Sequence, residues 1–97
     1  MKPAEKCQNI TEVRSEIDRI DRQVIAILAK RFEYVKAAAK FKNSTTDVRA
    51  ADRLEAMLQQ RRVWAESEGL DPDVVEDLYR NLVNYFIDEE LHKWRNQ

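Results

Sequence analysis

Apolar residues recur every three or four positions from Ile10 to Ala38, which is the spacing of a helix with one apolar face. Asn9 and Glu12 have the spacing of a capping box, in which each side chain accepts a hydrogen bond from the backbone at the helix start. No glycine or proline follows before the polar segment that begins at Asn43. The pattern predicts one helix of roughly 33 residues, about 50 Å long at 1.5 Å per residue.

Two shorter helices are predicted in the rest of the chain. The polar segment Asn43–Asp47 is expected to be a loop, followed by a second helix from about Ala50 to Glu68 with Gly69 as its C′ residue. Asp71 and Pro72 are then the N-cap and first residue of a third helix. The large residues expected in the core are Leu54, Met57, Leu58, Trp64, Val75, Leu78, Tyr79, Leu82, Tyr85, Phe86 and Trp94.

The composition favours a single all-α domain over residues 1–97. Charged residues make up 36% of the chain and apolar residues 43%, with one glycine and two prolines, which suits long helices rather than sheets. The formal net charge is -1, and basic residues are interleaved with acidic ones. We therefore expect neither nucleic acid nor a membrane as a partner.

Neither a metal nor a cofactor is expected. Cys7 and His92 are the only residues of their types, which leaves no internal disulfide and no zinc cluster. The sequence also lacks a glycine-rich phosphate loop and an arrangement typical of a nucleophilic enzyme. No segment has the apolar length of a signal peptide or a membrane span, so a cytoplasmic protein is the expectation.

The long first helix predicts a homodimer, because two shorter helices cannot cover its apolar face within one chain. A simple coiled coil is the rival interpretation, since the spacing is also heptad-like. Three cations, Arg14, Arg31 and Lys42, lie on or beside this face. Taken singly, each is most simply explained by an aliphatic stem that lies along apolar surface while the charge reaches water.

The spacing of these cations offers a joint explanation. Arg14 and Lys42 are 28 residues apart, or roughly 42 Å along one helix. Two copies packed antiparallel and crossing near Leu28 would set Arg14 of one chain opposite Lys42 of the other. Each of the two resulting sites would be lined by cations from both chains. Such a site suits a small dianion, particularly one with carboxylates that arginine binds through two hydrogen bonds.

These features resemble the chorismate mutase family of all-helical, intertwined homodimers. The resemblance extends from about Cys7 to Arg95, and it rests on "IDRID", the arginine in "KRFEYVKAA", "FK" at Phe41–Lys42 and the final "YFIDEELHKWR". The stretches "RFEYVKAAAKFK" and "RRVWAESEGLD" are similar to one branch, the isochorismate pyruvate lyases of salicylate biosynthesis.

The resemblance implies a role for each matching residue. Arg14 would reach the partner chain's site and bind a carboxylate, and Arg31 would bind the carboxylate of the pyruvyl arm. Lys42 would lie beside the ether oxygen, where negative charge grows as the carbon–oxygen bond breaks. The loop from Asn43 to Arg49 would order over the substrate and exclude water.

Two positions depart from the mutase pattern. Bacterial mutases open their second helix with an Arg–Glu pair whose glutamate binds the C4 hydroxyl of chorismate, whereas this chain has Arg53 and Leu54. The leucine favours isochorismate, whose hydroxyl is at C2. Glu90 stands where glutamine donates to the ether oxygen. A carboxylate there must be protonated or must face a cation, or the reaction must be slow at neutral pH.

The resemblance implies isochorismate pyruvate lyase activity, with weak chorismate mutase activity as a side reaction. A mutase acting on chorismate or on 4-amino-4-deoxychorismate is the alternative within the family. From another class, a non-catalytic helical dimerisation module also fits the pattern. Binding of a dianionic ligand would distinguish that module from an enzyme, whereas stability alone would not.

Overall fold

The computed structural model describes residues 2–39, 41 and 46–95, and for 46–52 and 90–95 it describes the backbone only. Within these residues a short 3-10 turn, Ala4–Lys6, precedes the helices α1 (Ile10–Ala39), α2 (Thr46–Ser67) and α3 (Pro72–Arg95), and there is no strand. The all-α, three-helix prediction is confirmed. The chain forms two compact units, Met1–Lys40 and Phe41–Gln97; a single domain over residues 1–97 stays a prediction.

The predicted cap of α1 is present. The backbone N–H of Glu12 donates to Asn9 Oδ1 at 2.9 Å. Glu12 Oε2 accepts from the backbone N–H of Gln8 at 2.8 Å and from Lys2 Nζ at 3.0 Å. The glutamate thus reaches back one residue further than in the usual capping box. From this cap α1 runs for 30 residues, or about 45 Å.

The apolar face of α1 is exposed along much of its length. No residue of this helix is buried. Five aliphatic residues, which we call the α1 stripe, are between 44% and 66% exposed: Ile10, Ile17, Ile20, Val24 and Ile27. The last four follow the alternating three- and four-residue steps of a heptad seam, which is the spacing that faces a partner helix.

The second unit is a hairpin in which α2 and α3 pack against each other. Its core contains Met57, Leu58, Ala65 and Phe86, of which Leu58 is 1% exposed. Three of these four were predicted, whereas Ala65 was not. Among the other predicted core residues, four are half-buried: Leu54, Val75, Tyr79 and Leu82. The side chain of Trp94 lies outside the described residues.

The prediction of burial is wrong for three residues. Trp64, Leu78 and Tyr85 are 50%, 55% and 56% exposed. One neighbouring helix covers only part of an apolar face, and a hairpin of two helices leaves the remainder uncovered. A second reason applies to the exposure of Trp64. The guanidinium of Arg61 lies 4.7 Å from the centroid of its ring, and this cation–π contact places a charged group on the ring.

The joint before α2 is shorter than expected. The loop expected to order over the substrate extended to Arg49, but the helix begins at Thr46. Thr46 and Asp47, which were assigned to the loop, are therefore helical. Their polarity was read as a break, but polar residues continue a helix when neither glycine nor proline intervenes. Lys42, Asn43, Ser44 and Thr45 lie outside the described residues.

The joint between α2 and α3 is as predicted. Gly69 has a φ of +77°, and its N–H donates to the carbonyl of Glu66 while that of Leu70 donates to the carbonyl of Ala65. This is a Schellman motif, in which glycine supplies the left-handed residue. Asp71 then caps α3, because its Oδ1 accepts from the N–H of Asp73 at 2.8 Å.

Ion pairs join the two helices of the hairpin. Arg62 Nη1 lies 2.8 Å from Asp73 Oδ1 and 3.2 Å from Glu76 Oε1. Arg80 lies 3.1 Å from Glu76 Oε2 and 3.5 Å from Glu55 Oε1. Arg62 and Glu76 are partly buried, whereas Asp73 and Glu55 are solvated, so the pairs to these two carboxylates add little alone. As a chain of contacts they fix how α3 lies along α2.

No helix in the described ranges is both long and apolar enough to cross a lipid bilayer. The cytoplasmic location expected from the sequence stays a prediction.

Replacing Gly69 by alanine is expected to destabilise the hairpin by about 1 to 2 kcal/mol, the cost of a left-handed backbone for a residue with a Cβ. No atom lies within 4 Å of the position that this Cβ would take, so the cost comes from the backbone alone. Urea unfolding at fixed protein concentration measures it. Glu68→Ala is the control, with an expected change within about 0.5 kcal/mol; equal effects of the two variants would contradict the assignment.

Candidate active site

The predicted site residues lie on all three helices. Arg14 is exposed and Arg31 half-buried on α1, and Arg53 is exposed on α2. The backbone of Glu90 belongs to the last turns of α3, but its side chain lies outside the described residues. Lys42 also lies outside them. Arg14 and Arg31 lie on the same helix, so the helix rise gives the distance between them.

Arg14 and Arg31 belong to one unbroken helix. Seventeen residues separate them, which corresponds to about 25 Å along the helix axis. A small dicarboxylate cannot bridge this distance, even with both side chains extended. One chain therefore cannot bring both arginines to the same ligand, whereas two antiparallel chains can.

Arg31 lies at one edge of the exposed face of α1. It follows Ile10, Ile17 and Val24 at seven-residue steps, so it continues one edge of the α1 stripe. Its side chain is half-buried, and its Nη1 is withdrawn from solvent. A guanidinium that has lost part of its hydration gains more from a carboxylate than a fully solvated one does.

A groove that the sequence analysis missed lies between the N-terminal segment and the start of α1. We call it the N-terminal groove; its volume is about 390 Å³. The segment before α1 has no periodic pattern that would have predicted this contact. The groove is lined by Lys2, Pro3, Ala4, Cys7, Val13, Glu16, Ile17 and Ile20.

Glu16 is the acidic residue of this groove. Its side chain is 18% exposed, and its Oε1 lies 3.9 Å from Arg19 Nη2. Its Oε2 is buried and has no hydrogen-bond partner among the described residues. A buried carboxylate oxygen without a donor is costly, so this atom is suited to accept a hydrogen bond from a group outside the unit.

The wall of the N-terminal groove is held in place by Glu12. The hydrogen bond from the backbone of Gln8, followed by that from Lys2, lowers the pKa of Glu12 from its ordinary value of 4.5. Both donors favour the ionised carboxylate. The segment before α1 is thus fastened to the helix most firmly when Glu12 is charged.

Comparison with known proteins decides the family. The family model for chorismate mutase type II matches residues 13–91. The chain belongs to this family. The predicted resemblance is thereby confirmed over most of the chain.

Among members and relatives of the family, similarity to a lyase extends over nearly the whole chain. The chain is 41% identical over 95 residues to an isochorismate pyruvate lyase of Pseudomonas aeruginosa, covering 98% of this chain and 94% of that protein. It is 40% identical over 75 residues to a T-protein of Haemophilus influenzae and 33% identical over 75 residues to one of Enterobacter agglomerans. These alignments cover 76% of this chain but only 20% of each T-protein.

Glu12→Gln is expected to flatten the dependence of stability on pH in acid. Because the pKa of Glu12 is lowered in the folded state, its contribution is complete above the ordinary value of 4.5 and is lost as pH falls through the folded value. The free energy of unfolding of the two proteins should therefore differ at about pH 7 and converge near about pH 3. Glu33→Gln, on an exposed part of α1, should show no such convergence. If the free energies of unfolding of Glu12→Gln and the wild type differed by the same amount at every pH, the proposed role of the contacts from Glu12 to Gln8 and Lys2 would be contradicted.

Proposed function

We propose that the protein is an isochorismate pyruvate lyase that acts as a homodimer, with each site built from both chains. The carrying observation is the separation of Arg14 and Arg31 on one unbroken helix, because these cations serve one small dianion only if they come from different chains. The exposed α1 stripe supports the pairing, since a second copy of α1 would cover it.

The choice of substrate within the family rests on the lyase relative and on Leu54. The alignment with the Pseudomonas aeruginosa lyase covers nearly all of both chains. Leu54 is half-buried on α2 and follows the exposed Arg53. An apolar side chain here gives the C4 hydroxyl of chorismate no partner, and burying that hydroxyl unpaired costs affinity. Isochorismate has no hydroxyl at C4.

In the proposed mechanism the protein shapes the substrate and stabilises developing charge. Arg14 of one chain binds one carboxylate, and Arg31 of the other binds the carboxylate of the pyruvyl arm. The bond between the ring carbon and the ether oxygen breaks while a ring hydrogen moves to the methylene carbon of the enolpyruvyl group. Salicylate and pyruvate result, and no protein base takes a proton.

Lys42 and Glu90 are assigned to the ether oxygen. Lys42 would donate to this oxygen as it gains negative charge, and Arg53 on α2 would bind the substrate. Glu90 donates only when protonated, so we expect the rate to rise as pH falls. This combination requires no metal and no cofactor.

Chorismate mutase activity is the second candidate. The matched family model supports it, and chorismate has the same two carboxylates as isochorismate. A mutase would convert chorismate into prephenate, and a related mutase would act on the 4-amino analogue. A dimer without catalytic activity, held together by the α1 stripe alone, would turn over none of these compounds.

The first experiment supplies isochorismate and chorismate separately from about pH 5 to about pH 8. Salicylate is followed by fluorescence and prephenate by absorbance. Rapid salicylate formation supports the lyase. Prephenate from chorismate alone would replace the proposal by the mutase, and turnover of neither would exclude both.

Mixing two inactive variants is expected to restore activity if the sites are shared. Arg14→Ala and Arg31→Ala should each lose roughly 10²–10³ in rate. In a mixed dimer one site contains both substitutions and the other contains neither. Because half of the dimers are mixed, roughly a quarter of wild-type activity should return after subunit exchange.

The control mixes Arg31→Ala with Arg31→Leu, which gives no intact site in any combination. It should stay inactive under the same exchange conditions. Failure of the first mixture to regain activity, with exchange verified by labelled chains, would mean that both arginines act within one chain or that one of them is not a site residue.

Glu90→Gln is expected to raise the rate at neutral pH by roughly tenfold or more, since an amide donates to the ether oxygen at every pH. The rise in rate toward acid seen in the wild type should disappear. Turnover measured against pH for both proteins checks this. A Glu90→Gln variant that is slower at neutral pH would show that the carboxylate has another role. Glu89→Gln is the matched control on the neighbouring residue.

A further inference from the structure

The N-terminal groove and the α1 stripe are parts of one surface, because Ile17 and Ile20 belong to both. The stripe offers apolar contact, and the groove adds a pocket of about 390 Å³ with Glu16 in its lining. The buried Oε2 of Glu16 lacks a hydrogen-bond partner among the described residues. An occupant that matches this surface therefore has an apolar body and one hydrogen-bond donor.

We propose that the occupant is Tyr34 of a second copy of the chain. Tyr34 lies on α1 in the same seam column as Ile20 and Ile27, and it is 71% exposed. Its ring would lie against Ile17 and Ile20, and its phenol would donate to Glu16 Oε2. The proposal rests on the dimer proposed above and specifies its register.

The heptad spacing restricts which residues of two antiparallel α1 helices can face each other. Residues of one seam column face residues of the other column, and the permitted registers differ by seven residues. Within α1, the residues of the second chain that Ile17 can face are therefore Val13, Ile20, Ile27 and Tyr34. An aliphatic side chain offers no donor to Glu16, whereas tyrosine does, so the groove favours Tyr34.

This register places the crossing of the two helices between Ile25 and Ala26. The crossing expected from the spacing of Arg14 and Lys42 alone was near Leu28, so the groove shifts it by about 4 Å. We call the N-terminal groove filled by Tyr34 of the second chain a socket. Each dimer has two sockets because the contact is two-fold symmetric. Each socket would fix the distance between Arg14 of one chain and the anion site of the other.

Disulfide trapping tests the register directly. Ile17→Cys and Tyr34→Cys are made in separate full-length chains that also carry Cys7→Ser, and they are mixed under mild oxidation. A covalent dimer is expected in the mixture. Neither protein alone should form one, because like positions would be about 25 Å apart, beyond the span of a disulfide. A covalent dimer from Ile17→Cys mixed with Ile27→Cys, or none in either mixture, would overturn the proposal.

A double-mutant cycle tests the hydrogen bond. Tyr34→Phe and Glu16→Gln are each expected to raise the dissociation constant of the dimer by roughly tenfold or more, because a bond to a charged acceptor is lost or weakened at both sockets. The double variant should be no weaker than the worse single variant. Glu33→Gln is the matched control and should leave the constant unchanged. Additive effects of Tyr34→Phe and Glu16→Gln would overturn the assignment of this pair.

Turnover of isochorismate by the unmodified protein separates this proposal from the proposed function. An active dimer that shows no trapping between positions 17 and 34 contradicts the socket and leaves the lyase in place. Trapping in a protein that turns over neither substrate supports the socket and contradicts the lyase.

Discussion

The uncovered apolar face of α1 is the constraint on which the rest of the structure depends. A helix about 45 Å long with no buried residue leaves Ile10, Ile17, Ile20, Val24 and Ile27 in contact with water. Exposed aliphatic surface of this extent is unfavourable, and its removal from water drives association. A second α1 has the same spacing, and in the proposed dimer it would cover this surface.

In the proposed dimer, the same face would account for the cations on an apolar seam. A guanidinium on an exposed seam loses hydration when a partner covers that seam, and the loss must be offset by an anion. Arg31 already has one nitrogen withdrawn from solvent. In the proposed dimer, association and ligand binding would be coupled, because the surface that closes the dimer would also enclose the site.

The hairpin of α2 and α3 contributes by another kind of interaction. Its two helices are held by a small core around Leu58, by the chain of ion pairs through Arg62 and Arg80, and by the Schellman turn at Gly69. None of these contacts needs α1. The proposed substrate contacts at Arg53, Leu54 and Glu90 are therefore supported by an element with its own internal contacts.

The helix boundaries set by local chemistry were determined by the sequence itself. Asn9 with Glu12, Gly69, and Asp71 with Pro72 act through hydrogen bonds within a few residues, so their effect is readable from spacing alone. The family motifs around Arg14, Arg31 and Lys42 were readable for a different reason, since the resemblance rests on the identities of residues along the chain. Tertiary structure decided which apolar residues are buried, with Ala65 inside and Trp64, Leu78 and Tyr85 exposed. It also decided that Glu16 lines a groove, because burial depends on what lies opposite a residue and not on its own pattern.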